Sequence, residues 1–205
     1  GEDKNFAGAR HTMPEMGLEG KVAIVTGAGS RAPGIGNGRA AAILLAREGC
    51  KVALLDATKE LGDATREMID AEGGTSMVVV GNVAEQASCA AAVKTVLDAW
   101  GRVDVLVNNV GIGGPTGNAV DTDPAAWDAA WGVNVTSMML MAKYAIPEMR
   151  KAGGGAIVNI ASIDGLRGGN PNLFYTASKG AVVQMTRAMA SHHGPEGIRV
   201  NCIAP

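Results

Sequence analysis

Six short apolar runs recur along the chain, at residues 21–25, 51–55, 76–80, 103–107, 156–160 and 198–203. Most are near-continuous runs rich in Val, Ile, Leu and Ala rather than alternations, which is how strands read when both faces of a sheet are covered. Ala- and Leu-rich helical patterns separate them, at 36–48, 58–72, 85–100 and 174–193. A further helix opens at Asp123-Pro124, with Asp as the cap and Pro in the first turn, and runs toward Met149 with a kink near Gly132. Strands alternating with helices build right-handed βαβ units on a parallel sheet. The expected fold class is therefore α/β, a doubly wound parallel sheet in one domain spanning 21–205, behind a lead-in at 1–20.

Composition narrows the function. Lys and Arg total 18 against 20 Asp and Glu, so the chain lacks the basic excess of a nucleic-acid binder. Cys50, Cys89 and Cys202 stand alone without metal spacing and read as buried thiols in a reducing cytosol. No metal site is expected. No apolar stretch reaches the roughly 20 residues of a membrane span, and the first 20 residues carry no signal-peptide run. The 29 glycines are about twice the usual share of roughly 7%. Gly49, Gly73 and Gly101 stop helices, and the densest cluster follows the first strand.

That cluster runs from Thr26-Gly27 through Ser30, Arg31, Gly34, Ile35 and Gly36 to Gly38. A glycine-rich turn between a strand and a helix lets backbone approach a pyrophosphate, which the helix N–H groups then hold. Asp56 ends the second strand 20 residues past Gly36, where a carboxylate accepts from an adenosine ribose and repels a 2′-phosphate. NAD(H) is favoured. Arg31, a cation within the loop, keeps NADP(H) open. Asn109 and Gly111 close the fourth strand, where Asn braces backbone and Gly leaves room for a ligand.

A second constellation carries chemistry. Tyr175 and Lys179 are i and i+4 on one helix face. An ammonium near a phenol favours the phenolate and makes tyrosine an acid or base. Ser162 follows the fifth strand, at the sheet edge where such folds bind ligands. Asn134 sits mid-helix against its propensity, a position consistent with holding a water. Arg167, Asn170 and Asn172 lie between Ser162 and Tyr175, as pocket lining or as plain loop.

Together these residues resemble the short-chain dehydrogenase/reductase family over about residues 18–205. The family's Thr-Gly-x-x-x-Gly-x-Gly loop matches Thr26, Gly27, Gly34 and Gly36, its Asn-Asn-Ala-Gly segment matches 108–111, and its tetrad matches Asn134, Ser162, Tyr175 and Lys179. The resemblance implies a Rossmann-type fold and an NAD(H)-dependent interconversion of a secondary alcohol and a ketone. In it Tyr175 is the acid and base, Lys179 holds the nicotinamide ribose, Ser162 orients the substrate oxygen and Asn134 holds a relay water. Epimerisation, enoyl reduction or a non-catalytic NAD-binding regulator are the alternatives. It further implies cofactor contacts from Asn82, Val83 and Pro205, a small-molecule substrate, and a homotetramer or homodimer. Three departures stand out: Arg31-Ala32-Pro33 as an insertion in the loop, Val110 for Ala, and Asn82 for Asp. The family's seventh strand and substrate lid are expected to be absent from these 205 residues.

Overall fold

A computed structural model of the chain describes residues 17–31 and 34–205. Most of the expected lead-in and two of the three inserted loop residues, Ala32 and Pro33, lie outside them. Six strands form one parallel sheet: β1 (Val22–Thr26), β2 (Lys51–Asp56), β3 (Thr75–Val80), β4 (Val105–Asn108), β5 (Gly155–Ile160) and β6 (Ile198–Ile203). Their order is β3-β2-β1-β4-β5-β6, with every neighbouring pair parallel. The helices are α1 (Asn37–Arg47), α2 (Lys59–Ala71), α3 (Gln86–Trp100), α4 (Pro124–Trp131), α5 (Ser137–Lys151) and α6 (Leu173–His193).

The unbroken apolar strands have the expected cause. Val22 and Ile24 join one buried cluster with α3 and α5, while Ala23 and Val25 join another with α1 and Ile69 of α2. Successive side chains point to opposite faces, so both layers of helices demand apolar residues from the same strand. The strand β4 starts two residues later than its apolar run. Asp104, just before it, still bonds to both neighbouring strands, its N–H donating to the Val22 carbonyl and its carbonyl accepting from the Ala156 N–H, each at 2.9 Å, and its Oδ2 accepts from the Val22 N–H at 2.9 Å.

The expected kink near Gly132 is a single π-helical turn, Gly132–Thr136, between α4 and α5. Such a turn inserts one extra residue and is frequent at functional sites. Here it carries Asn134, which is fully buried. The order of strands reverses between β1 and β4, and a crevice opens beyond their C-terminal ends, the place where open α/β sheets bind ligands.

Candidate active site

Two adjoining cavities occupy that crevice, of about 290 and about 310 Å³. The first is lined by Gly29, Arg31, Asp56, Asn82 and Val83 among others. The second is lined by Asn37, Ser162, Tyr175, Lys179 and Pro205 among others. Asn109, Gly111 and Ile112 border both and form the seam between them.

Hydrogen bonds fix the seam. The Asn109 N–H donates to Thr26 Oγ1 at 3.0 Å, and its Nδ2 donates to the Gly27 carbonyl at 3.0 Å. Gly27 turns at φ +60°, where a side chain is strained. Gly38 is buried in the first turn of α1, directly against this turn. A Cβ on Gly38 would sink into the Gly27 carbonyl and the Asn109 amide. Close helix-to-strand packing is the role of the last glycine in a dinucleotide loop.

Gly38 is thus the packing glycine of the loop, and Gly36, two residues earlier, is the N-cap of α1. A Cβ on Gly36 would meet only Ser30 Oγ, at an ordinary 3.5 Å, and one on Gly34 would meet nothing. Ser30, Gly34, Ile35 and Gly36 line neither cavity, and Ile35 is 64% exposed. Arg39 ties this stretch to α2. Its buried guanidinium donates to Thr65 Oγ1 at 2.9 Å and to the Gly34 carbonyl at 3.1 Å.

On the first cavity's wall, Asp56 is 9% exposed and held at both oxygens. Oδ2 accepts from the Gly29 N–H at 3.1 Å and Oδ1 from the Thr58 N–H at 3.0 Å. Asn82 folds into its own turn, accepting from the Ala84 N–H and donating to Glu85 Oε1 at 2.8 Å. Val83 is buried beneath it, and Val110 lines the same cavity.

In the second cavity, α6 presents Tyr175 and Lys179. Asn172 caps this helix by accepting from the Tyr175 N–H at 3.1 Å, and its Nδ2 donates to the Gly113 carbonyl at 2.9 Å. Asn172 is thus a brace for the tyrosine. The Lys179 ammonium lies 5.7 Å from the Tyr175 ring centroid and donates to the Ile160 carbonyl at 2.9 Å. Burial pushes its pKa below the usual lysine value. A Cβ on Gly111 would approach Lys179 Nζ to 3.2 Å, so glycine keeps that corner open. Ser162 Oγ, nearly buried, accepts from the Asp164 N–H at 3.3 Å.

The Asn134 side chain bonds to protein at both its oxygen and its nitrogen. Oδ1 accepts from the Ile112 N–H at 2.8 Å, and Nδ2 donates to the Ile112 carbonyl at 2.8 Å and to Ser178 Oγ at 3.1 Å. Both amide protons are used, so the carboxamide clamps the seam to α6.

Residues 21–205 match the short chain dehydrogenase family. The chain belongs to it.

This short-chain dehydrogenase/reductase is 41% identical over 190 residues to an uncharacterized oxidoreductase of Thermotoga maritima, covering 93% of the chain and 72% of that protein. A crystal structure assigned to the same family from Burkholderia xenovorans superposes with a TM-score of 0.88 at 43% identity, covering 92% of this chain and 74% of the other. The NAD+-bound structure of a xylitol dehydrogenase matches with a TM-score of 0.85 at 33% identity, covering 92% and 70%. The chain is an oxidoreductase of a family that uses nicotinamide cofactors.

A dinucleotide cofactor suits the residues present: a glycine cradle that side chains would fill, a carboxylate in the wall of the first cavity and a lysine beside the tyrosine. Sequence reasoning missed Gly29, Asn37, Gly38 and Arg39. For Gly38 a signal existed, since it falls in the first turn of the helix pattern that runs to Gly49. Gly29 escaped notice although a Cβ there would meet Asp56 Oδ2 at 3.0 Å. Elsewhere, Cys50 and Cys89 are buried as expected, while Cys202 is half-buried. Among the described residues no three His, Cys, Asp or Glu side chains gather as a metal site, and no helix is long and apolar enough to cross a membrane.

Proposed function

We propose that the chain interconverts a secondary alcohol and a ketone with NAD(H). The observation that carries this reading is the convergence of Ser162, Tyr175 and Lys179 on one cavity that adjoins the Asp56 cavity. A bound nicotinamide supplies the hydride acceptor for oxidation and the donor for reduction.

The protein's own groups do the rest. Ser162 Oγ orients the substrate oxygen toward Tyr175. Tyr175 takes the hydroxyl proton in oxidation and returns it to the carbonyl oxygen in reduction. The Lys179 ammonium, 5.7 Å from the Tyr175 ring centroid, stands beside the group that moves the proton. Lys179 also stands where it reaches a nicotinamide ribose, with Pro205 on the opposite rim. Asn134 fixes the distance between the seam and α6. Asp56 accepts from the adenosine ribose and disfavours a 2′-phosphate, so NAD(H) is preferred over NADP(H).

The same reading implies a small-molecule substrate, a soluble cytoplasmic enzyme and a homotetramer or homodimer. A panel of secondary alcohols with NAD+, followed at the reduced-nicotinamide absorbance band, tests the activity. Turnover of at least one alcohol is expected. NAD+ binding with no turnover across alcohols and ketones would support a binding regulator instead.

A further inference from the structure

The first residue of α1, Asn37, stands in the wall of the cavity that holds Ser162, Tyr175 and Lys179. Its neighbour Gly38 is sealed against Gly27 and Asn109, so the backbone at Asn37 is fixed relative to the seam. Each of the other side-chain amides around the crevice already donates at least once to protein. Asn109 donates to Gly27, Asn134 to Ile112 and Ser178, Asn172 to Gly113, and Asn82 to Glu85. The Asn37 side chain is exposed, and among the described residues it makes no hydrogen bond. The cavity it faces is lined by one cation, Lys179, and no carboxylate.

A dinucleotide reaching from the Asp56 cavity to the Tyr175 cavity must carry its diphosphate across the seam. We propose that Asn37 is a cofactor-positioning residue whose Nδ2 donates to the diphosphate on its nicotinamide side. The inference rests on the nicotinamide reading above and adds a side-chain donor to it. A carboxamide at this place has a specific consequence. It gives the diphosphate a neutral donor that leaves the charge of the catalytic cavity to Lys179 alone.

Calorimetric titration of parent, Asn37→Leu and Asn37→Asp with NAD+, ADP-ribose and AMP separates the contributions. The leucine variant is expected to weaken NAD+ and ADP-ribose about tenfold, the loss of one hydrogen bond to a charged group. The aspartate variant, which sets a negative charge against the diphosphate, is expected to weaken them further. AMP, which lacks the second phosphate, is expected to bind all three proteins alike. Unchanged ADP-ribose affinity in both variants would overturn the proposal. So would parallel loss of AMP, which would place the effect in the loop rather than at the diphosphate. Failure of the parent itself to bind ADP-ribose would instead overturn the nicotinamide reading.

Discussion

Replacing Gly38 with alanine adds one methyl group at the most crowded point of the cofactor loop. Two opposing effects follow. In a helix, alanine is favoured over glycine by about 1 kcal/mol. Against that, the new Cβ would lie 3.0 Å from the Gly27 carbonyl carbon and closer still to its oxygen. Neither partner yields easily. The Gly27 N–H donates to the Leu55 carbonyl at 2.8 Å, and its own carbonyl accepts from Asn109. The helix α1 must therefore back away from β1, and overpacking of this kind costs about 1–3 kcal/mol. The net expectation is a loss of about 0–2 kcal/mol, or a fall in Tm of up to about 8 °C for a chain of this size. Displacing α1 also moves the seam, so NAD+ affinity falls by about tenfold or more. Gly36→Ala is the control. Gly36 has φ −75°, which alanine adopts, and its Cβ meets only Ser30 Oγ. The cost there is that of a weaker cap, about 0.5 kcal/mol. Thermal melts and calorimetric NAD+ titrations of both variants decide the matter. Parent-like behaviour of Gly38→Ala together with lost binding in Gly36→Ala would refute the packing role assigned to Gly38.

Other consequences can be checked alongside. Asp56→Ala removes the group that disfavours a 2′-phosphate, so the NAD+/NADP+ ratio of kcat/KM is expected to fall by about tenfold or more; an unchanged ratio would shift the choice to Arg31. Asn134→Leu strips the Ile112 and Ser178 hydrogen bonds from a buried site and is expected to cost about 2–4 kcal/mol in urea unfolding, with turnover lost. Burial works to raise the pKa of Asp104, but the Arg102 fork and the Val22 N–H outweigh it and hold the carboxyl below its usual value. A depressed folded-state pKa means its stabilisation is present above about pH 4 and is lost as pH falls through the folded value. The stability gap between parent and Asp104→Asn is therefore expected to be wide at neutral pH and to close in acid; a constant gap would contradict the assignment. Burial pushes the Cys50 thiol up to about 11, so native protein is expected to react with a disulfide reagent first at half-buried Cys202, and early labelling of Cys50 would contradict its packing.

The strands were readable because burial on both faces leaves only apolar residues, as at 22–25, and the helix stops because glycine alone turns cheaply at Gly49, Gly73 and Gly101. Ser162, Tyr175 and Lys179 were found by order and spacing, and the sheet brings them to one cavity. The packing role of Gly38 was not legible, because several glycines crowd within a dozen residues and only the close approach of Gly38 to Gly27 singles one out. Arg39 and Asn172 act through backbone carbonyls and a helix end, partners that sequence spacing does not display. The role of Asn134 was visible only as an anomaly, an asparagine inside a helix, and its bracket on Ile112 depends on a π turn with no sequence signature of its own.

The central claim is that Tyr175 moves the proton while NAD(H) occupies the paired cavities. Tyr175→Phe removes one hydroxyl and leaves the ring and the capped helix in place. NAD+ affinity by calorimetry and alcohol oxidation by reduced-nicotinamide absorbance, measured on the same preparation, test the claim most directly. The expected result is NAD+ bound within about twofold of the parent affinity, with oxidation abolished. Substantial oxidation by Tyr175→Phe would contradict the account.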